Sequence, residues 1–386
     1  MKIAVLRKQY TFHGGAEGYS GSFIEGLAEA GHEIHIFAIK WQINGSHNNV
    51  HFHKVPALTF NSFFRELTFA ISSLVVMKKW RRYFDIIQTH DKTVYQDIYR
   101  AGDGCHIEWL KQRWQRTSFR GKLSIVLNPY HWLILVLERV IFKQHRYKKI
   151  IAISELVKTN IAGNYGVTLS DIEVIYNGVD INKFHPANKN KYRIEIRQKY
   201  GLKDSDFVVL FMGSGFERKG VGYLIKAVGS ISEPVSVLIV GKGSNPSLKG
   251  VRQKIIFCGP QKDNYKYYAA ADLFVFPTVY EPFGNVHLEA LASGLPVITT
   301  RNSGAAEIIK DDIHGFVIEK PEDLQIMAEK ISLLLNNSNK LEAMGKNARQ
   351  LAEEFTFKSH INKILALYER VIQENQGLKI KNQHDR

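Results

Sequence analysis

A chain of 386 residues with 45% hydrophobic content is long enough for two domains of ordinary size, each with its own core. Its two cysteines, Cys105 and Cys258, exclude a disulfide framework and favour a reducing compartment. The formal net charge of +15 points to an anionic partner, whether nucleic acid, an anionic membrane surface or a phosphorylated substrate.

The first residues, MKIAVL, run straight into a strand at Lys2 to Leu6, so no signal peptide is expected. A turn, His13-Gly14-Gly15-Ala16-Glu17, leads to a helix with Tyr19, Phe23, Ile24 and Leu27 on one face. Gly31 caps that helix before a strand at Glu33 to Ala38. This is a βαβ unit whose Gly14-Gly15 turn would let backbone N–H groups approach a phosphate. The pattern is not G-x-G-x-x-G, so no dinucleotide site is indicated.

Asp85 to Thr89 reads as a further strand ending at His90-Asp91, and another strand ends near Ala101 to Gly104. Ligands of open α/β sheets collect outside the carboxyl ends of strands, which makes His90 and Asp103 candidate acceptor-side groups. From His106 to Lys149 ten Lys and Arg face two Glu, interleaved with Trp109, Trp114, Phe119, Tyr130, Trp132 and Phe142. Such a segment suits a peripheral membrane patch, because cations attract anionic headgroups and Trp sits well at an interface. No RNP, KH or helix-turn-helix signature supports nucleic acid, and none is expected as a partner. The most apolar window, Leu123 to Phe142, is interrupted by Asn128, Pro129, His131, Glu138 and Arg139 and does not read as a spanning helix.

Lys149 to Ser154 closes the first half, and Asn177-Gly178-Val179-Asp180 marks the passage to a second. Strands recur at Phe207 to Met212, Val235 to Val240, Lys254 to Cys258, Leu273 to Phe276 and Val297 to Thr299, with helical patterns between them. That alternation describes a second doubly wound α/β domain. Thr356 to Gln373 is an amphipathic helix, and the polar tail after Asn375 is expected to be disordered.

The chemistry concentrates in the second half. Gly213 to Gly220, GSGFERKG, follows a strand where a ligand crevice is expected, and Arg218 and Lys219 are adjacent cations suited to clamping a diphosphate. Glu281 falls in a strand-to-helix turn, Gly284 lets the backbone pass close to a ligand, and Glu289 lies within the helix that follows. If both Glu were helical, about 12 Å of rise would separate them. A retaining glycosidase needs its carboxyls about 5 Å apart, so this pair is expected to bind different parts of one long ligand. The one D-x-D, Asp204-Ser205-Asp206, precedes a strand and reads as a solvated turn, so no metal site is expected.

Together these residues resemble the retaining glycosyltransferases of family 4. The matching runs are GGAE, ISE at Ile153 to Glu155, YNGVD at Tyr176 to Asp180, RKG at Arg218 to Gly220, YYAAADLFVFPT at Tyr267 to Thr278 and E-x7-E at Glu281 and Glu289. Asn302 to Glu319, NSGAAEIIKDDIHGFVIE, continues the match. Within the family the chain is most similar to the lipopolysaccharide core glucosyltransferase group. The resemblance implies the GT-B fold, two facing Rossmann-like domains: 1–170 on the acceptor side, with a returning helix at 356–375, and 171–355 for the nucleotide sugar, leaving 376–386 as the tail. It implies that Gly14 and Gly15 face the diphosphate, that Arg218 and Lys219 neutralise it, and that Glu289 binds the ribose. Glu281 would reach the donor-sugar hydroxyls, and the backbone of Phe283, Gly284 and Asn285 would support sugar and phosphate.

Two departures stand out. Met212-Gly213 replaces the Gly-Arg that many members carry before the RK, and the usual acceptor-side His is missing near Asp103. The expectation is a cytoplasmic, monomeric hexosyltransferase, peripheral on the inner face of the cytoplasmic membrane. It would move glucose from UDP-glucose to a lipid-linked saccharide without a metal. The alternatives are a GT-B UDP-sugar epimerase, a family 4 enzyme acting on another lipid or soluble acceptor, and a non-catalytic binding module.

Overall fold

The computed structural model describes residues 1–10, 15–41 and 48–384. The chain divides into two compact units, Met1–Tyr176 with Lys358–Arg386, and Asn177–Phe357.

In the first unit the order is β1 (Lys2–Leu6), β2 (Gln9–Tyr10), α1 (Gly15–Glu29), β3 (Glu33–Ala38), β4 (Lys40–Trp41), β5 (Val50–Lys54) and α2 (Ser62–Trp80). It continues with β6 (Ile86–Thr89), β7 (Ile98–Ala101), α3 (His106–Arg116), α4 (Phe119–Leu127), α5 (Pro129–Lys143), β8 (Lys149–Ala152), α6 (Glu155–Tyr165) and β9 (Ile172–Val174). Seven strands form one sheet in the order β5-β3-β1-β6-β7-β8-β9, parallel throughout. Its central strands are buried on both faces, as parallel sheets covered by helices require. Phe37, Phe69, Met77 and Phe84 join Leu6 and Ile87 in the core beneath α2. Helix ends follow local rules: Ser154 accepts from the Val157 N–H at the start of α6, and Gly166 closes it in the left-handed conformation.

The second unit runs through α7 (Asn188–Lys199), β10 (Val208–Met212), α8 (Phe216–Lys219), α9 (Val221–Gly229), β11 (Ser236–Val240), β12 (Lys254–Gly259) and α10 (Asn264–Ala270). Then come β13 (Leu273–Phe276), α11 (Asn285–Ala292), β14 (Val297–Thr300), β15 (Gly315–Ile318), α12 (Leu324–Leu335) and α13 (Ser338–Glu353). Its six strands are parallel, in the order β12-β11-β10-β13-β14-β15. Both units are therefore doubly wound and Rossmann-like, as the α/β expectation holds. In each sheet the strand order reverses beside the first strand, between β1 and β6 and between β10 and β13. Ligands of such sheets bind outside the strand ends at that reversal.

Two boundaries differ from expectation. β9 pairs with β8, so the first unit extends past residue 170 to Tyr176, and the second begins at Asn177. The last helix, α14, spans Phe357–His384, and the tail expected to be disordered continues it. That tail contains no proline to stop the helix, and Leu and Lys are good helix formers. Within the first unit α14 is tied down by His360, whose Nε2 lies 2.7 Å from the Tyr19 hydroxyl, and by Tyr368, which donates to Gln88 at 2.8 Å.

Candidate active site

The short helix α8 sets two cations against the end of β13. Gly220, at φ 85°, closes α8, and a Cβ there would stand 1.8 Å from the Pro277 carbonyl oxygen, so only glycine lets the turn pass. The Arg218 carbonyl accepts from the Val279 N–H at 2.9 Å and the Thr278 hydroxyl at 3.1 Å, which locks α8 to the segment leaving β13. Arg218 in turn donates to the Tyr280 carbonyl at 3.0 Å. Adjacent cations on the short helix after β10 thus become fixtures of the segment after β13.

Glu281 is the third member. Its backbone is held on both sides, its N–H donating to the Asn302 carbonyl at 3.0 Å and its carbonyl accepting from the Gly304 N–H at 2.9 Å. The carboxylate lies 3.3 Å from Lys219 Nζ and 3.5 Å from Arg218 Nη1, and only 12% of its side chain is exposed. Burial would raise this carboxyl, but the Lys219 ammonium and the Arg218 guanidinium outweigh it and hold it below the ordinary glutamate value. Two adjacent cations and a carboxylate more than sixty positions further along the chain converge at the strand-order reversal of the second sheet.

The turn into α11 explains the residues between the two glutamates. Gly284, at φ 83°, caps α11, and a Cβ on it would meet His287 Nδ1 at 2.7 Å and Glu281 Cγ at 3.0 Å. Phe283 is fully buried and anchors the turn, its carbonyl accepting from the Ser303 hydroxyl and the Ala305 N–H. Asn285 opens α11 and its Oδ1 accepts from Asn177 at 2.6 Å. His287 donates its Nδ1 proton to the Gly284 carbonyl at 2.8 Å while Nε2 faces the Thr299 hydroxyl at 2.9 Å. Burial lowers this histidine to about 4, so it braces the turn as a neutral ring.

Glu289 has a separate environment. Asn264 and Tyr268 donate to its Oε2 at 3.0 and 2.8 Å, leaving Oε1 without a protein donor among these bonds. Burial pushes this carboxyl up, against the Tyr268 hydrogen bond that favours its charge. Tyr268 lies in the matched run Tyr267 to Thr278 but was given no role there, and Asn264, just before that run, escaped the motif reading.

On the first unit the candidates fare differently. Asp103 is exposed at the carboxyl end of β7. Gly14 lies outside the described residues, and Gly15 opens α1. His90 is corrected: it is only 2% exposed, with Nε2 beside Gln88 at 2.7 Å and its ring 5.0 Å from that of Phe23. α1 covers it, so it faces the interior instead of a saccharide. Burial holds its pKa well below the usual histidine value.

The D-x-D lies in a turn, as expected, with Asp204 paired to Arg193 at 2.8 Å and Asp206 accepting from the Lys203 N–H. Among the described residues one donor cluster could hold a metal, Glu33, His35 and His51 of the first unit, and there Glu33 already pairs with Lys2 at 3.5 Å.

Two parallel-sheet Rossmann-like units, with cations and a carboxylate at the strand-order reversal of the second, are the architecture of the GT-B glycosyltransferases. Family models agree with both halves: "Glycosyltransferase Family 4" matches residues 13–183 and "Glycosyl transferases group 1" matches 192–351. The chain belongs to glycosyltransferase family 4, and it is a hexosyltransferase.

An uncharacterized glycosyltransferase of Methanocaldococcus jannaschii, MJ1607, is 25% identical over 98% of this chain and all of its own length. The lipopolysaccharide glucosyltransferase WaaG of Escherichia coli K12 is 29% identical over 67% of this chain and 70% of its own. A crystal structure of WaaG superposes with a TM-score of 0.80 at 25% identity, covering 95% of this chain and 99% of that one. Anabaena HepE, solved with UDP-glucose, shares the fold at 19% identity and a TM-score of 0.68, covering 95% of this chain and 99% of its own.

Proposed function

We propose that the chain transfers glucose from UDP-glucose, with retention, to a lipid-linked saccharide, the lipopolysaccharide inner core. The observation that carries this reading is the convergence of Arg218, Lys219 and Glu281 at one sheet end. A departing diphosphate gains negative charge as the sugar bond breaks. Cations already fixed in place stabilise that transition state more than the ground state.

Glu281 pairs with both cations. A donor diphosphate would take over Lys219 and Arg218, freeing the carboxylate to accept from sugar hydroxyls. The bond from C1 to the phosphate oxygen breaks, the acceptor oxygen bonds to C1 on the same face, and the acceptor proton passes to the leaving phosphate. The two cations perform the task a divalent ion would otherwise serve, so activity is expected to survive a chelator. The lipopolysaccharide acceptor is supported by the likeness to WaaG.

Assaying UDP-glucose with and without a lipid-linked saccharide tests the reading. Transfer only in the presence of acceptor is expected. Turnover of the donor alone to an isomeric UDP-sugar would replace it with the epimerase.

Glu289 is proposed to accept from the ribose hydroxyls, positioned by Tyr268 and Asn264. Its raised pKa means that protonation begins at higher pH than for an ordinary glutamate, removing an acceptor as pH falls. The KM for donor should therefore rise on the acid side of neutrality while kcat changes less, and Glu289→Gln should flatten that profile. A parental profile in Glu289→Gln would remove the role.

The chain is further proposed to act as a monomer at the inner face of the cytoplasmic membrane, contacting anionic lipid through residues 106–149. Trp114, Phe119 and Trp132 are exposed there, whereas Phe142 is core. Among the described residues no single helix is long and apolar enough to cross a membrane; α4 and α5, bent by 59°, meet that criterion only as a pair. Flotation with anionic vesicles at low salt, weakened by added salt, is the expected signature.

A further inference from the structure

The outer face of α2 is unlike that of a helix that merely covers a sheet. Its inner side buries Phe69, Ala70, Ser73 and Met77, yet Phe64, Ile71 and Val75 stand exposed, and exposed Lys78 and Lys79 end the same stripe. A helix apolar on both sides belongs in a core or against a second apolar phase. α5 repeats the pattern. It buries Ile134, Leu137, Ile141 and Phe142, exposes Trp132 and Val136, and continues that stripe one turn at a time with exposed Arg139 and Lys143.

Between these helices lies an open groove of about 500 Å³, lined by Phe63, Val126, Leu127, Trp132, Leu133 and Val136. The indole N–H of Trp132 donates to the Val126 carbonyl at 2.6 Å, so the lining presents hydrocarbon. α4 extends the apolar rim with Leu123 and with Phe119, which is 80% exposed. Contiguous apolar surface of this kind on a soluble chain marks an interaction site.

We infer that this groove seats an acyl chain of an anionic membrane lipid, with α2 as a second membrane-contacting helix. The inference rests on the membrane contact proposed above, and extends it from charge to hydrocarbon and to a helix outside residues 106–149. Charge complementarity selects the occupant. Each apolar stripe ends in cations, Lys78 and Lys79 on α2, Arg139 and Lys143 on α5, whose stems can lie along hydrocarbon while their heads meet phosphates. A second copy of a chain with net charge +15 would bring like charge to the same surface.

The test uses the full chain and vesicles of phosphatidylcholine and phosphatidylglycerol with brominated acyl chains. Tryptophan emission is quenched on binding, and Trp132→Phe removes a distinct share of that quenching. Partition at ~0.5 M salt, where surface attraction is screened, persists in the parent chain. It falls about tenfold or more in Ile71→Ser with Val75→Ser and in Leu127→Ser with Val136→Ser. All four side chains are exposed, so the variants should keep the parent's melting temperature and UDP affinity.

Binding at low salt without quenching, or with α2 variants that partition like the parent, would leave a purely electrostatic contact and overturn the inference. A dimer in sedimentation that the same variants dissolve would also overturn it. Absence of vesicle binding at any salt is a different result, which removes the membrane reading itself. Partition and quenching need no turnover, so neither depends on the transferase assay.

Discussion

Glu281→Gln should bind UDP as tightly as the parent chain, or more tightly, and transfer sugar about a hundredfold more slowly or worse. The asymmetry comes from the ion pairs. The Glu281 carboxylate lies 3.3 and 3.5 Å from Lys219 and Arg218 and would compete with a diphosphate for them, so removing its charge releases both cations. The sugar loses a charged acceptor. Glutamine preserves the volume and leaves an amide oxygen toward Lys219, which would otherwise be a half-buried cation without its partner. Calorimetry with UDP and turnover with UDP-glucose separate the two effects. Parental turnover would remove Glu281 from the site.

The second large effect is expected from Arg218→Ala combined with Lys219→Ala. Each cation offers a charge-assisted hydrogen bond worth about 1.5 to 3 kcal/mol to a diphosphate. Losing both should therefore weaken UDP and UDP-glucose by about a hundredfold or more. The double variant should also lose stability near neutral pH. Because the folded pKa of Glu281 is held below its unfolded value, its pairing contributes stability above the unfolded pKa and loses it as pH falls through the folded one. Without the cations that contribution vanishes, so parent and variant should differ in melting temperature at neutral pH and converge in acid. Equal UDP affinity in parent and variant would exclude the clamp.

How much of this was legible depended on whether the signal was local. Leu273–Phe276, Glu33–Ala38 and Lys2–Leu6 are apolar runs bounded by turn residues, and the structure returns them with the expected limits. Val50–Lys54, read VHFHK, alternates histidines with other residues and shows no apolar run, so its place as the edge strand beside β3 escaped notice. Ile172–Val174 is too short to stand out, and that omission shifted the domain boundary.

His90 shows the limit of a positional argument. It sits at a strand end, but Phe23 and Tyr19 of α1 roof it over, and that packing cannot be read from the strand alone. The meeting of Arg218 and Lys219 with Glu281 was accessible through the rule that ligands collect outside strand ends and through the family resemblance. The two donors that hold Glu289, Asn264 and Tyr268, lie more than twenty positions before it and carry no spacing rule. Likewise the outer face of α2 escaped notice because apolar residues on a helix read as core until the structure shows them outside.

In the proposed reaction a hexose moves from a nucleotide diphosphate to an acceptor on the same face of C1, with cations at the phosphate and Glu281 at the sugar. The most direct measurement is the anomeric configuration of the first-formed product by proton NMR, starting from UDP-α-glucose. An α-linked glucose is the predicted result. A β-linked product would contradict the account, because the acceptor would then have attacked from the face opposite the diphosphate.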